Sequence, residues 1–248
     1  MKILAVEELS KSFGGVRAVE RVSFSVAAGE LLAMIGPNGA GKTTCFNLIN
    51  GQLRPDAGEI HFEERKVQGL APEDRCRLGI GRTFQVAAAF GSMTVRENVQ
   101  IALLSIGGKL RSVLSSFPRT QEAMQLLERT GMDRQADRPC AELAYGDLKR
   151  VELTVALAAR PRLLLMDEPT AGMATAERGE LMQLIADIAR REKIAVLFTE
   201  HDMDVVFRHA DRVIVLADGE LIAQGTPAEV RADARVRRIY LGEEADHA

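Results

Sequence analysis

A glycine-rich segment early in the chain combines residue types that bind phosphate. It runs from Gly36 to Thr43 as Gly-Pro-Asn-Gly-Ala-Gly-Lys-Thr, which fits the G-x-x-x-x-G-K-[ST] pattern of a nucleotide phosphate loop. Glycines let successive backbone N–H groups turn towards one point, where they bind anionic oxygens. We expect Lys42 to reach the β- and γ-phosphates and the Thr43 hydroxyl to hold Mg²⁺. The predicted nucleotide-binding residues of this segment are Gly36, Pro37, Asn38, Gly39, Ala40, Gly41, Lys42, Thr43 and Thr44.

Two adjacent carboxylates end an apolar run later in the chain. The aliphatic segment Leu163–Met166 is followed by Asp167 and Glu168. A buried strand places polar groups at its end, so we expect Asp167 to lie beside the phosphate loop and to steady Mg²⁺ through water. Glu168 is the candidate for positioning and polarising an attacking water. Alone, this pattern is more typical of an ordinary strand-to-turn junction with solvated acids; the phosphate loop favours the catalytic interpretation.

The elements that must position these residues change character along the chain. Strand-like runs precede and follow a mostly helical stretch between about residues 86 and 159. Thr94–Glu97 reads as a capping box, and Asp218-Gly219 as a hairpin turn. The predicted strands are Ile3–Val6, Val22–Val26, Leu31–Ile35, Glu59–Phe62, Leu163–Met166, Ala195–Phe198, Val213–Leu216 and Leu221–Ala223, and the predicted helices are Ala123–Arg129, Leu148–Ala159, Thr175–Arg191, Asp202–His209 and Pro227–Ala232. We therefore expect an α/β protein whose strand-rich core is interrupted by a helical segment.

Composition narrows the classes of protein to which the chain can belong. A formal net charge of −3 over 248 residues argues against a broad electrostatic contact with nucleic acid or anionic lipid. No apolar run approaches the roughly 20 residues that cross a bilayer, and the N-terminal segment lacks the long apolar block of a signal peptide. Cys45, Cys76 and Cys140 are far apart and without metal-ligand spacing, which indicates reduced thiols. We expect a soluble cytoplasmic protein that binds no nucleic acid and reaches a membrane only through a partner.

Three further segments have a recognisable order along the chain. They are Gly81–Gln85 (Gly-Arg-Thr-Phe-Gln), Leu143–Asp147 (Leu-Ala-Tyr-Gly-Asp) and Thr199–Asp202 (Thr-Glu-His-Asp). Together with the phosphate loop and the carboxylate pair, this order resembles the ATP-binding cassette of ABC transporters. The resemblance implies a single ATPase domain over residues 1–248. Residues 1–85 and 160–248 would form a P-loop NTPase (RecA-like) core with an antiparallel β subdomain, and residues 86–159 an inserted α-helical subdomain.

The resemblance also assigns roles to individual residues outside the phosphate loop. It implies that Gln85 touches Mg²⁺ or the attacking water, and that His201 hydrogen-bonds the γ-phosphate and helps to hold the water near Glu168. A neutral imidazole both donates and accepts hydrogen bonds, which suits this role. Phe13 stands where the family places an adenine-stacking aromatic, although a strand aromatic in the core fits the same pattern.

The segment Leu143–Asp147 corresponds to the family's signature loop, which faces the phosphate loop of a second cassette and closes ATP between two subunits. The residues that the resemblance places there are Leu143, Ala144, Tyr145, Gly146 and Asp147. The usual signature is Leu-Ser-Gly-Gly-Gln, so Ala144 lacks a hydroxyl and Asp147 brings a negative charge towards ATP. Ala174 replaces an Asp that ties the two sites together in many cassettes. The chain either pairs with a different cassette to form unequal sites, or these are subfamily differences with full activity, which we favour.

Finer likenesses point to importers of branched-chain and related hydrophobic amino acids. The segments that carry them are Ser12–Val19, Gly79–Gln85, Leu143–Gly146, Glu200–Met203, Gly225–Glu229 and Ile239–Glu243. Such an importer combines two cassettes, identical or different, with two polytopic membrane permease subunits and, indirectly, a substrate-binding protein. The resemblance thus implies an ATPase at the inner face of the cell membrane that powers uptake and never meets the solute.

Other interpretations stay open. The short linker between Leu103 and Thr120 also fits an importer of urea, amides or aromatic acids. A non-transport cassette of the repair or translation type usually has coiled-coil insertions or basic surfaces, and a plain P-loop switch or kinase needs no signature loop. The apolar loop Val86–Gly91 has two interpretations. Phe90 either helps to form a groove for a short helix of the membrane subunit or anchors the helical segment to the core.

Overall fold

The chain folds into two sheets and a set of helices that pack on them. The computed structural model describes residues 1–83, 89–106 and 120–241. The strands are, in chain order, Lys2–Phe13 (β1), Val16–Ala27 (β2), Leu31–Ile35 (β3), Ala57–Phe62 (β4), Arg65–Lys66 (β5), Ile80–Thr83 (β6), Leu163–Asp167 (β7), Ala195–Thr199 (β8), Arg212–Ala217 (β9) and Glu220–Gly225 (β10). The helices are Lys42–Asn50 (α1), Pro72–Leu78 (α2), Val95–Ile106 (α3), Thr120–Thr130 (α4), Tyr145–Ala158 (α5), Thr175–Glu192 (α6), Met203–His209 (α7), Pro227–Ala232 (α8) and Ala234–Leu241 (α9).

The central sheet carries the phosphate loop at the end of one of its inner strands. Its strand order is β10-β9-β3-β8-β7-β6, and the neighbours from β9 to β6 run parallel. At the edge, β10 returns antiparallel to β9 through Asp218 and Gly219, whose φ angles are 48° and 82°. Two left-handed residues in a two-residue loop suit the twist of a hairpin, so the predicted turn is confirmed.

A second, antiparallel sheet has the order β2-β1-β4-β5 and covers one face of the central sheet. The helix α1 lies in the same layer, because its buried residues belong to the cluster that includes β1, β2 and β4. The helices from α3 onwards share the apolar cluster on the opposite face, in which α3 and α4 pack against α5. The central sheet is therefore buried on both sides.

The sequence of β3 shows how one strand serves both faces. Leu31, Ala33 and Ile35 pack among the helices, whereas Leu32 and Met34 pack with α1 and the antiparallel sheet. Successive side chains of a strand point to opposite faces, so a strand between two layers must be apolar throughout. The strands β7 and β8 follow the same rule, and all of their residues are buried.

Most of the expected elements are present, with a few differences. The predicted capping box is confirmed, because Thr94 N–H donates to the Glu97 carboxylate at 2.8 Å and Glu97 N–H donates to the Thr94 hydroxyl at 3.2 Å. Two strands were not predicted: β5 has two residues, and β6 is short and partly polar, so neither has an apolar run. The boundaries near residues 86 and 159 stay a prediction. In the described ranges, no helix combines the length and apolar character needed to cross a bilayer.

A buried arginine fixes the far end of the phosphate-loop helix. Arg75 on α2 is 1% exposed, and its Nη1 donates to the backbone oxygens of Leu48 at 2.7 Å and Ile49 at 2.6 Å. Its Nε donates to Leu70 O at 3.1 Å. The last carbonyls of a helix lack partners within that helix, so the guanidinium satisfies groups that would otherwise be buried unpaired. Burial lowers the pKa of Arg75 to about 10, so the group stays charged at neutral pH.

We expect Arg75→Met to reduce the free energy of unfolding by about 2–4 kcal/mol, because it leaves three buried carbonyls without donors. Chemical denaturation followed by circular dichroism measures this change. Arg77→Met, on the exposed side of the same helix, is the matched control and should stay within about 0.5 kcal/mol of the parent. Equal stabilities of the two variants would contradict the capping role of Arg75.

Candidate nucleotide site

The phosphate loop joins the buried end of β3 to the first turn of α1. A Cβ added at Gly36 would lie 2.2 Å from the backbone oxygen of Leu216, and one at Gly41 would lie 2.2 Å from that of Ala18. Both glycines also have positive φ angles, 154° and 99°. Neighbouring strands therefore fix the path of the loop and admit only glycine there. Within the described chain no side chain caps the start of α1, which leaves its N–H groups for an anion.

Lys42 is the first residue of α1, and its side chain turns back into the loop. Its Nζ donates to the backbone oxygens of Gly36 at 2.6 Å and Pro37 at 2.9 Å. Burial lowers the pKa of Lys42, and the charges of Glu168 and Asp167 oppose that shift. The loop, the lysine and the carboxylate pair are thus close enough to form one electrostatic cluster.

The other predicted loop residues are partly exposed and partly in contact with the core. Pro37, Asn38, Gly39 and Thr43 are exposed, Thr44 is half-buried and Ala40 is buried. The Thr43 hydroxyl is therefore on the surface of the first turn of α1. Ala40 packs in the cluster between α1 and the antiparallel sheet.

Asp167 closes β7 and is bound on both of its oxygens. Its Oδ1 accepts a hydrogen bond from Thr199 Oγ1 at 2.7 Å, and Arg82 Nη2 lies 3.6 Å from its Oδ2. The parallel register of β7 and β8 sets Asp167 beside Thr199. The same Thr199 hydroxyl accepts the backbone N–H of Glu168 at 3.1 Å. One hydroxyl therefore fixes both predicted acidic residues.

Glu168 follows β7 with a left-handed backbone, at a φ angle of 51°. Few residues other than glycine, asparagine and aspartate adopt this conformation, so the surrounding hydrogen bonds must hold it. Its Oε1 lies 2.9 Å from Nε2 of His201, whose side chain is 54% exposed. The structure thus brings two predicted residues into direct contact on an open surface. They are the carboxylate that is expected to polarise water and the histidine that is expected to bind the γ-phosphate.

The signature segment lies at the start of α5, apart from the phosphate loop. Ala144 precedes the helix and provides no side-chain cap, and Tyr145 is 46% exposed. The Tyr145 ring packs beside Gly172, and Lys149 Nζ lies 5.4 Å from the ring centroid. Among the described residues, no hydrogen bond or ion pair joins this segment to the phosphate loop.

Other signature positions contact the helices around them. Gly146 is buried, and a Cβ added there would lie 3.3 Å from the Glu177 carboxyl carbon. Asp147 Oδ2 accepts a hydrogen bond from Gln135 Nε2 at 2.7 Å. Leu143 is half-buried against the helical cluster. Asp147 therefore has a partner within its own helical region, which sequence reasoning did not identify.

Of the two remaining predicted residues, the structure describes Phe13 but not Gln85. Phe13 ends β1 and is 46% exposed, with Lys11 Nζ 5.5 Å from its ring centroid, so the interpretation as a core aromatic is wrong. Its stacking on adenine stays a prediction. Gln85 lies outside the described residues, as does the loop segment Val86–Ala88 next to it.

Several residues near the site had no role in the sequence analysis. Arg82 Nη1 donates to Asn47 Oδ1 at 2.7 Å and to Gln52 Oε1 at 2.9 Å, so this arginine connects Asp167 to the end of α1. The signal was the place of Arg82 within the quoted segment Gly81–Gln85. Thr199 was likewise part of a quoted motif, and its place at the end of the strand beside β7 could have indicated its contact with Asp167.

Two further contacts hold the surroundings of the site. Glu200 is 5% exposed and accepts hydrogen bonds from Thr170 N–H at 2.8 Å and Thr170 Oγ1 at 2.7 Å. The Tyr240 side chain on α9 lies close to the backbone of Gly36, and burial raises the pKa of Tyr240 to about 12. The helix α9 therefore lies beside the phosphate loop, a position that no sequence pattern indicated.

Comparisons with known proteins extend over nearly the whole chain. A sequence profile described as "ABC transporter" matches residues 19–171, and one described as "Branched-chain amino acid ATP-binding cassette transporter" matches residues 220–246. The high-affinity branched-chain amino acid transport ATP-binding protein LivG of Salmonella typhimurium is 40% identical in an alignment of 252 positions that covers 97% of this chain and 98% of LivG.

Solved structures share the fold. The ADP conformation of MJ1267, an ATP-binding cassette of an ABC transporter, has a TM-score of 0.87 at 33% identity, over 98% of this chain and all of that one. The cassette MJ0796, solved as a dimer in a post-hydrolysis state with ADP and phosphate, has a TM-score of 0.76 at 26% identity, over 91% of this chain and 99% of that one. The predicted P-loop NTPase fold is confirmed. The chain belongs to the ABC transporter family, as one of its ATP-hydrolysing ATP-binding cassettes.

Proposed function

We propose that this chain powers an importer of branched-chain or related hydrophobic amino acids by hydrolysing ATP. The observation that supports the chemistry most directly is the contact of 2.9 Å between Glu168 and His201. It lies beside Asp167, at the end of the sheet that carries the phosphate loop. A carboxylate and an imidazole at this place suit the positioning of water against a terminal phosphate.

The donor set of the site suits Mg²⁺. This ion prefers oxygen ligands and is usually bound by one or two protein groups together with phosphates and water. The exposed Thr43 hydroxyl and the Asp167 carboxylate provide such oxygens, and we propose Gln85 as a further contact. Bound Mg²⁺ supplies positive charge that neutralises the phosphates during transfer.

The residues of the chain divide the work on ATP between binding and hydrolysis. In this proposal the loop N–H groups and the Lys42 ammonium bind the phosphates, as the phosphate-loop motif predicts. We propose that Glu168 accepts a hydrogen bond from the attacking water and that His201 N–H orients this carboxylate and senses the γ-phosphate. We propose that Phe13, which is half-exposed at the end of β1, stacks on adenine.

A second cassette completes the site in this proposal. The signature segment makes no described hydrogen bond or ion pair with its own phosphate loop, and it begins a helix whose first N–H groups suit an anion. We therefore propose that Leu143–Asp147 contacts the ATP bound to a partner cassette. MJ0796, solved as a dimer, provides a related arrangement. ATP binding would then favour the closed pair, and hydrolysis would release it.

The amino-acid cargo is proposed from two matches. LivG is named for branched-chain amino acid transport, and the match at residues 220–246 is to a profile of the same name. The cassette itself has no role in reading the solute, so urea, amides or aromatic acids remain the alternative cargo. We propose that permease subunits hold the chain at the inner face of the membrane.

We propose that a permease subunit contacts a groove beside Phe90, which lies between β6, α2, α3 and α5. Phe90 N–H donates to Asn98 Oδ1 at 2.7 Å, and Asn98 Nδ2 donates back to Phe90 O at 3.1 Å. The backbone is thus fixed while the ring stays 55% exposed. A fixed and exposed aromatic ring at the edge of a cavity suits the docking of a short helix.

We expect Glu168→Gln to bind ATP but to hydrolyse it roughly 10²-fold more slowly or worse, because the amide cannot polarise water as the carboxylate does. The two-cassette state should accumulate with ATP. Phosphate release at saturating Mg-ATP and light scattering measure the two effects. Glu180→Gln, an exposed change on α6, is the matched control, and near-normal turnover of Glu168→Gln would show that another group orients the water.

Thr199→Val should lower kcat by roughly tenfold, because it removes the hydroxyl that donates to Asp167 at nearly unchanged side-chain volume. It also removes one of the two acceptors of the Glu168 N–H, which keeps the Thr199 backbone oxygen at 3.2 Å. Nucleotide affinity without Mg²⁺ should stay close to that of the parent. Thr199→Ser keeps the hydroxyl and should retain most activity. Equal losses in both variants, measured by steady-state hydrolysis and fluorescent-nucleotide titration, would refute the role of the hydroxyl.

Phe90→Ser should weaken the association with the permease subunits while hydrolysis by the isolated chain continues, because the backbone there is held by Asn98 rather than by the ring. Co-purification of the transporter in detergent and phosphate release by the free chain test the two parts. Val16→Ser, at a position 68% exposed on β2, controls for the loss of any surface apolar group. A collapse of hydrolysis in free Phe90→Ser would instead identify Phe90 as a structural anchor.

A further inference from the structure

The groove beside Phe90 has mainly apolar walls but also contains a buried carboxylate. Its volume is about 300 Å³, and it lies between β6, α2, α3 and α5. The apolar walls come from Ala89, Phe90, Ile101, Ala102, Val155 and Ala156. Glu152 on α5 lines the same space. The groove thus combines a surface for an apolar helix face with one acidic group.

Three other polar side chains of the groove form hydrogen bonds within the chain. The Asn98 amide bonds the backbones of Phe90 and Thr94, and the Ser105 hydroxyl donates to a carbonyl one turn earlier. Arg82 donates through Nη1 to side chains at the end of α1. Its Nε is buried and has no hydrogen-bond partner among the described residues. Apart from this one donor, these groups need no hydrogen bond from a molecule that occupies the groove.

Glu152 is different, because one of its carboxylate oxygens has no hydrogen-bond partner among the described residues. Its side chain is 8% exposed, and Oε2 accepts a hydrogen bond from Lys149 Nζ at 3.1 Å. Oε1 is buried without a hydrogen-bond partner in the part of the chain that is described. Burial raises the pKa of Glu152, and Lys149 opposes that shift. A carboxylate oxygen left bare in such surroundings is unfavourable until a donor reaches it.

A small void on the other side of Glu152 provides a competing explanation. It has a volume of about 10 Å³ and is lined by Thr83, Lys149 and Asp167, among others. That is about the least space that holds one water molecule. A single trapped water would satisfy Oε1 without any partner protein, whereas a donor from the groove would act only in the assembled transporter. The two explanations predict different behaviour of the complex.

We propose that the permease helix that enters this groove carries a basic side chain whose N–H donates to Glu152 Oε1. This inference rests on the proposed function, since it specifies the chemistry of the partner at the groove. Charge-assisted hydrogen bonds to a carboxylate are the strongest that a side chain can provide at a desolvated contact. The last turn of a helix favours basic residues and has free carbonyls, so the same turn also offers an acceptor for Arg82 Nε.

The test measures how tightly the full chain binds the polytopic membrane subunits of its transporter, which are purified in detergent. Glu152→Gln keeps the shape of the side chain but removes its charge, so we expect the dissociation constant to rise roughly tenfold or more. Lys149→Gln is the matched control on the same helix turn. It removes the internal partner of Glu152 but not the acceptor, so binding should change by less than about threefold. Thermal unfolding of each free variant reports whether it folds.

A charge exchange makes the test specific. Glu152→Lys should abolish binding, and changing one basic residue of the docking helix to Glu should restore it. Equal weakening by Glu152→Gln and Lys149→Gln would show that the pair only holds α5, and no weakening by Glu152→Gln would assign Oε1 to a trapped water; either result overturns the inference. If the parent chain itself fails to bind the membrane subunits, the proposed function fails instead.

Discussion

The position of the Thr199 hydroxyl is the constraint on which the site depends. It donates to Asp167 and accepts from the backbone of Glu168, so it fixes the two acidic residues relative to each other. This contact exists because β7 and β8 run parallel with Asp167 opposite Thr199. A slip of one residue would exchange the side chains that face each layer and would also move Thr199 away from Asp167. Packing of the core thus determines chemistry at its edge.

The helix α5 connects regions that the sequence presents as separate. It begins with the signature segment, continues through the Lys149–Glu152 pair and lines the groove beside Phe90 with its later residues. Because a helix of this length is stiff, a displacement of its later residues at the groove also moves its first turn. Tyr145 packs on Gly172, which places the signature segment against the loop that follows the carboxylate pair. The helix α5 therefore connects the proposed permease groove, the proposed contact with a second cassette and the loop that follows the carboxylate pair.

Local patterns explain what the sequence could predict. The phosphate loop and the end of β7 were predictable because their chemistry is carried by consecutive residues, and the capping box and hairpin have short signatures. Contacts between distant residues were not. Arg75 reaches the end of α1 from another helix, and Tyr240 reaches Gly36 from the C-terminal helix. Such contacts depend on how layers pack, which one sequence does not specify. The sequence likewise predicts no role for Glu152, because that role depends on how α5 packs beside the groove.

The left-handed backbone of Glu168 restricts how lineages of such cassettes can diverge. With a φ angle of 51°, this position disfavours side chains branched at Cβ, whatever their chemistry. In a descendant that has lost hydrolysis, we therefore expect glycine, asparagine, aspartate or another unbranched residue at position 168 rather than valine, isoleucine or threonine. Inactive descendants would then be expected to keep their architecture, and with it the ability to pair with an active cassette. In a pair of one active and one inactive cassette, the inactive site would then be recognisable by one of these few residue types at position 168.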